Sequence, residues 1–334
     1  MKIIKKVLLP LFLLLAIFAS IASFAGCGPK VQTKTITFAD VGWDSILFHN
    51  AVAGTVAKEV FGYKWEEVTG STPIIHEALK KGEIDVHMEV WSNNLPSYDE
   101  DLKNGEFKEI AINFDDNAQG FYVPLYVIKG DPERGIEALA PDLKTVQDLQ
   151  KYSSIFKDPE EPSKGIIYGG IAGWEITDVM RKKYEQYGLD EFYNYLEPGT
   201  DAATSAVLVS AYDKGEPVVA YYWEPTWLLG KYDFVLLEDE PYDESLYYEG
   251  KTECPSVKVT IGASNEFYEK DPEFCEFLTN YKTSSALTSE ALAYIEDTGA
   301  DHLTAAKWWM LKHRDLVESW LTQEQAETLF SALE

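Results

Sequence analysis

Positive charge is scarce in this sequence: 334 residues carry 29 lysines and arginines against 56 aspartates and glutamates, a formal charge of −27 at pH 7. Such a chain repels phosphate backbones and anionic lipid surfaces, which excludes nucleic acid as a partner. Cysteine is rarer still. Cys27, Cys254 and Cys275 are the whole set; they have no metal-type spacing, and they allow a Cys254–Cys275 disulfide without requiring one. The five histidines, His49, His76, His87, His302 and His313, stand singly and read as surface or packing residues. A Gly-x-Ser-x-Gly elbow, a His-Glu-x-x-His helix and a phosphate loop are all missing, so the usual hydrolase, metalloprotease and nucleotide chemistries lack their residues. No catalytic residue, metal or cofactor is assigned. After the first 26 residues no run approaches the roughly 18 unbroken apolar residues of a membrane-crossing helix.

What is present begins at the N-terminus. Lys2, Lys5 and Lys6 precede an apolar run from Val7 to Phe18 and then small residues up to Ala25-Gly26-Cys27. This layout predicts a lipoprotein signal peptide over 1–26, with Cys27 lipid-modified and 27–34 a short tether. Two or more acyl chains, at about 0.8 kcal/mol per buried methylene, would hold the mature protein on the bacterial cell membrane, outside the cytoplasm. Loss of three lysines and no acids carries the formal charge from −27 to −30. The remaining length suits two lobes, each with its own core.

The body of the sequence repeats itself. A strand over 35–41 leads into Gly42-Trp43-Asp44, a helix over 45–60 and a second strand; a helix over 74–80, the turn Lys81-Gly82-Glu83 and a strand over 84–90 follow, ending on Trp91. The second copy runs from a strand over 165–171 through Gly173-Trp174-Glu175 and a helix over 176–187. A helix over 205–212, Lys214-Gly215-Glu216 and a strand over 217–222 then end on Trp223. The paired tryptophans stand 48 and 49 residues apart. Strands alternating with helices long enough for right-handed crossovers make each copy a β-α-β-α-β unit of an α/β lobe. Ligands of such sheets bind beyond the carboxyl ends of the strands, where all four tryptophans fall. The tail after a strand over 257–262 is helical, and its packing against the first lobe makes that lobe discontinuous: 35–117 with 240–334, the second lobe being 118–239.

A cation without N–H donors cannot be held by ordinary hydrogen bonds, but it can be held by the negative faces of aromatic rings, tryptophan most strongly. Trp43, Trp91, Trp174 and Trp223 therefore read as a cage, and Asp44, Glu175 and Glu224, with Glu89 nearby, as carboxylates attracting the cation. Trp65, Trp227, Trp308, Trp309 and Trp320 lack the strand-end placement and read as packing.

Several stretches carry a family resemblance: Val41-Gly42-Trp43-Asp44, Ala78 to Val86, Glu89-Val90-Trp91, and above all Tyr222-Trp223-Glu224-Pro225-Thr226-Trp227. From about Thr35 to Leu321 the chain resembles the glycine betaine, choline and proline betaine binding proteins of ABC importers. The resemblance implies a two-lobed, periplasmic-binding-protein-like fold of type II with the ligand cleft between the lobes. It also implies an aromatic cage for a quaternary-ammonium osmolyte, a monomer, and a partner permease with its ATPase. By motif position Trp91, Trp174 and Trp223 match cage residues, and Trp43 matches a wall of the choline-type branch. Thr226 and Leu95 stand where related betaine binders carry a histidine for the ligand carboxylate, which brings choline and trimethylamine N-oxide forward beside the betaines. A sugar or amino-acid binder of the same fold stays open, as does a secreted glycosidase.

Overall fold

A computed structural model describes residues 34–334; the signal peptide, Cys27 and the tether up to residue 33 lie outside the described residues. The chain forms two five-stranded sheets. The first contains β1 (Thr35–Asp40), β2 (Lys64–Thr69), β3 (Val86–Trp91) and β4 (Lys108–Phe114). The second contains β5 (Gln119–Pro124), β6 (Gly165–Tyr168), β7 (Tyr193–Leu196), β8 (Ala220–Trp223) and β9 (Phe234–Leu236). The chain then returns to the first sheet with β10 (Val259–Ala263).

Strand orders are β2-β1-β3-β10-β4 and β7-β6-β8-β5-β9. In each sheet three parallel strands come from the repeat, and two strands antiparallel to their neighbours complete it. The chain passes between sheets twice, over 115–118 and over 237–258. The crossover helices are α1 (Asp44–Glu59) and α2 (Thr72–Lys81) in the first lobe, and α3 (Glu175–Gln186) and α4 (Asp201–Lys214) in the second.

The two copies turn their corners by the same physics. Gly42 and Gly173 take φ of 90° and 93°, a backbone that side chains rarely adopt, and each hands the chain to a tryptophan in extended conformation at a helix N-cap. Gly82 and Gly215, at φ of 73° and 69°, close α2 and α4 with left-handed caps whose N–H groups return to carbonyls of the last turn. Helix α2 starts at Thr72, earlier than its apolar residues suggest, because Pro73 suits the first turn and Ser71 precedes it. Three strands, β4, β5 and β9, were not expected.

Beyond β10 the chain is helical. α6 (Ser285–Thr298) and α7 (His302–Lys312) pack on α1, with Phe48 and Trp309 rings meeting edge to face at 5.5 Å. The short α5 (Trp227–Lys231) of the second lobe packs against α6, and Lys231 reaches Asp297 at 3.2 Å. Cys254 and Cys275 are not joined in a disulfide. Among the described residues no helix is long and apolar enough to cross a membrane.

Candidate functional site: a tryptophan cavity between the lobes

Trp43 and Trp174 sit at the N-caps of α1 and α3, while Trp91 and Trp223 are the last residues of the central strands β3 and β8. These four positions converge from the two sheets. Their rings form a chain of near-perpendicular contacts: Trp91 to Trp43 at 6.4 Å and 88°, Trp43 to Trp174 at 5.2 Å and 87°, Trp174 to Trp223 at 4.8 Å and 85°. Each indole is between 4% and 8% exposed. In each such contact one ring presents its edge and keeps both of its faces uncovered by that neighbour, and the four rings together border one space. That space holds about 350 Å³ free of atoms, part of it continuous with solvent, and Thr72, Asn94, Glu175, Ile176 and Tyr221 complete its lining.

Three of the four indole N–H groups have protein acceptors. Those of Trp43 and Trp91 both donate to Glu89 Oε2, at 2.7 and 3.3 Å, and Ser45 Oγ donates to the same oxygen at 3.1 Å. Trp174 Nε1 donates across the cleft to the Val41 carbonyl at 3.2 Å, and the Thr72 N–H donates to the Gly173 carbonyl at 3.1 Å. Beside the cavity Asn94 and Gln119 exchange amide hydrogen bonds between the lobes at 3.4 and 3.2 Å. Tyr247 holds Asn94 Oδ1 at 2.7 Å, and Tyr221 holds Gln119 Oε1 at 3.0 Å.

The carboxylates named from sequence divide. Glu175 lines the cavity, and burial followed by the charge of Asp178 raises its pKa. Asp44, its counterpart in the repeat, is half-exposed, points toward His302 at 3.8 Å and lines a separate depression with Thr200 and Asp201. Glu224 lines a third, with Asp116, Thr226 and Lys231; burial and Asp116 raise its pKa. Neither lines the tryptophan cavity. Thr226 is buried and its hydroxyl caps α5 by accepting from the Leu229 N–H. Sequence reasoning missed Tyr221, although it stands two residues before Trp223 and so on the same face of β8. Asn94 had no signal at all.

Burial dominates the titration of this region. Glu89 is fully buried, which pushes its carboxyl up to about 7 against the pull of Trp43, Ser45 and Trp91. Asp201, partly exposed at its surface, is raised to about 7 by burial and then by Asp44. Burial holds the His49 and His87 imidazoles down at about 3, and the Glu89 N–H donating to His87 Nδ1 at 3.2 Å fits a neutral ring. The signs oppose one another. Between about pH 3 and 6.5 the unfolded chain holds two imidazole protons that the fold refuses, so stability falls on acidification. Between about pH 4 and 7 the fold holds two carboxyl protons that the unfolded chain has lost, so stability rises on acidification. Unfolding stability is therefore expected to be nearly flat from pH 6.5 to 4.5. Below that it should fall by up to about 3 kcal/mol per pH unit, from two protons at about 1.4 kcal/mol each. Urea unfolding at pH 6.5, 5 and 3.5 measures this. A steep fall already between 6.5 and 5 would mean that Glu89 and Asp201 are not protonated in the fold.

Comparison with known proteins bears on the same region. Residues 34–312 match the family model described as the substrate binding domain of ABC-type glycine betaine transport systems. The chain is 28% identical over 164 residues to a glycine betaine/carnitine transport binding protein of Listeria monocytogenes; the match covers 49% of this chain and 51% of the relative, about half its length. Among solved structures, an ABC-transporter choline binding protein in complex with choline superposes with a TM-score of 0.70 at 20% identity, over 90% of this chain and 98% of that one. Lactococcal OpuAC, closed and complexed with glycine betaine, gives 0.67 at 18% identity, over 86% and 99%. At these identities the structural likeness speaks for the two-lobed type II fold.

Proposed function

The chain belongs to the substrate-binding protein family of ABC-type glycine betaine transport systems, and from that premise we propose that it captures a small quaternary-ammonium solute in the tryptophan cavity and delivers it to a partner permease and ATPase. The single observation that carries this reading is the cavity wall: two indoles from each lobe in mutual edge contact around one space. A methylated ammonium group offers no N–H donor, so ring faces are what can recognise it; at about 0.5 to 2 kcal/mol per ring, four rings contribute about 2 to 8 kcal/mol, and burial of the methyl groups at about 25 cal/mol per Å² adds the remainder that micromolar affinity needs after ordering costs. Because Trp43 and Trp91 come from one lobe and Trp174 and Trp223 from the other, bound ligand favours the closed arrangement by contacting both lobes. The division proposed at 117/118 and 239/240 falls in the two connections between the sheets, where a hinge would act.

Family members work outside the cytoplasm and bind solute without turning it over. We take Cys27 to be the lipid anchor that keeps this chain, as a monomer, beside its permease. Cys27→Ser is expected to abolish acyl labelling and release the protein into the medium or periplasm; labelling that persists would place any anchor elsewhere.

The ligand class is tested by calorimetric titration of residues 34–334 with choline, glycine betaine, carnitine, trimethylamine N-oxide and proline. One-site micromolar binding of at least one methylated ammonium compound is expected. No heat from any of them, with the protein folded, would remove the reading.

A further inference from the structure

Glu89 has no ordinary reason to be where it is. It stands in the middle of β3, a strand buried along its whole length, with no exposed surface of its own and no lysine or arginine paired with it among the described residues. Three donors meet at its Oε2: the indoles of Trp43 and Trp91 and the hydroxyl of Ser45. Its Oε1 lies 3.4 Å from His49 Nε2, and the other nitrogen of that ring is 2.7 Å from the Tyr281 hydroxyl. Thr288 Oγ1, on α6, is 3.4 Å from the same Nε2. A buried carboxylate without a cation is costly, and packing alone would be better served by an apolar residue. Glu89 does not line the cavity. It lies directly behind two of its walls.

We propose, resting on the quaternary-ammonium reading, that Glu89 is a positioning residue of the cage that also selects for ligands of net positive charge. One oxygen fixes the in-plane orientation of both first-lobe indoles, since each N–H must point at it for the ring to stay buried. When ionised, the carboxylate draws the N–H groups and so enriches the ring faces in negative charge. It finds its missing counter-charge in the ligand ammonium on the far side of the rings. Choline, with charge +1, gains the full attraction. A betaine loses part of it, because its own carboxylate is repelled from the same region.

Two substitutions separate reach from charge. Glu89→Gln keeps an oxygen for both indoles and presents an amide N–H to His49, but removes the charge. Glu89→Asp keeps the charge but draws the oxygen back from the indoles. Parent and variants are titrated at pH 8 with choline and with glycine betaine, and the indole N–H resonances are followed by NMR. The expected results are a tenfold or greater loss of choline affinity in Glu89→Gln with glycine betaine changed less than threefold. In Glu89→Asp both ligands should weaken together by about tenfold, with two indole resonances displaced. A Glu89→Gln variant whose choline-to-betaine preference equals the parent's, or a Glu89→Asp variant with unmoved indole resonances, overturns the proposal. If the parent binds neither ligand, the functional reading fails and this proposal with it; if the parent binds and only the variants behave otherwise, Glu89 alone was misread.

Discussion

Trp174→Ala is expected to weaken binding of the preferred quaternary-ammonium ligand about 100-fold, more than any other single ring removed from the cavity. Trp91 and Trp223 each meet only one other ring of the four; of the two inner rings Trp43 has contacts of 6.4 and 5.2 Å, and Trp174 has the closer ones, 5.2 Å to Trp43 and 4.8 Å to Trp223. Removal of Trp174 deletes one ring face from the ligand, worth about 0.5 to 2 kcal/mol. It also frees two neighbours whose edge-to-face contacts are worth about 0.5 to 1.5 kcal/mol each. The indole N–H that reaches the Val41 carbonyl across the cleft is lost as well. A total near 3 kcal/mol corresponds to about two decades in Kd. Trp227→Ala serves as the comparison, because Trp227 lines the two acidic depressions beside the cavity and not the cavity itself; its effect should stay under threefold. Calorimetry on both variants decides. Equal losses would mean the ligand sits in an outer depression, and a Trp174→Ala protein binding within fivefold of the parent would mean that the ring chain is core.

The repeat makes most of this site readable from the sequence. Twin Gly-Trp-acid turns dictate twin positive-φ corners, and tryptophans ending twin central strands must emerge at the same edge of each sheet. The divergence between Asp44 and Glu175 was not readable. Both are the first residue of a crossover helix, but the C-terminal helices pack on the first lobe and bring His302 beside Asp44, and the second lobe has no such tail. An element far along the chain thus decides what a local motif does. The antiparallel strands β4, β5 and β9 were missed for a related reason: they pair with partners from other parts of the chain, and β9 is only three residues long. Glu89 was half visible. His87, Glu89 and Trp91 alternate with Val86, Met88 and Val90, so one face of β3 is unusually polar for a strand buried on both sides. Which groups would satisfy that face depends on Trp43, Ser45 and His49 arriving on α1.

Lys183→Met is expected to cost about 3 to 5 kcal/mol of stability, the largest effect of any single change away from the tryptophans. Lys183 lies on α3 and its ammonium is paired with Asp239, the two side chains being 2% and 5% exposed; it also donates to the Thr252 carbonyl. Asp239 receives the Tyr187 hydroxyl as well, and that hydroxyl lies 3.1 Å from the Lys251 carbonyl. Asp239, Lys251 and Thr252 all belong to the return connection between β9 and β10, so one buried ion pair fixes that connection to the second lobe. The fit is close: a side chain at Gly250, where φ is 74°, would bring a Cβ to 2.3 Å from the Lys183 backbone nitrogen. Methionine fills the volume of the lysine stem but leaves the Asp239 carboxylate buried without a cation, with only the Tyr187 hydroxyl and the Glu240 N–H, at 2.8 Å, as donors. The large cost therefore comes from the stranded charge and not from the lost attraction. Lys183→Met combined with Asp239→Leu should accordingly recover more than half of the loss, since an apolar pair leaves no charge to desolvate. Urea unfolding of the two variants distinguishes these terms. If the single variant loses under 1 kcal/mol, the carboxylate must find water, and the connection is looser than its contacts imply. The same connection also reaches the first lobe, Tyr247 to Asn94 at 2.7 Å and Tyr248 to the Asn93 carbonyl at 2.8 Å. Loosening it at Lys183 should therefore be felt at the cavity through Asn94, as weaker ligand binding in the single variant that the double variant restores.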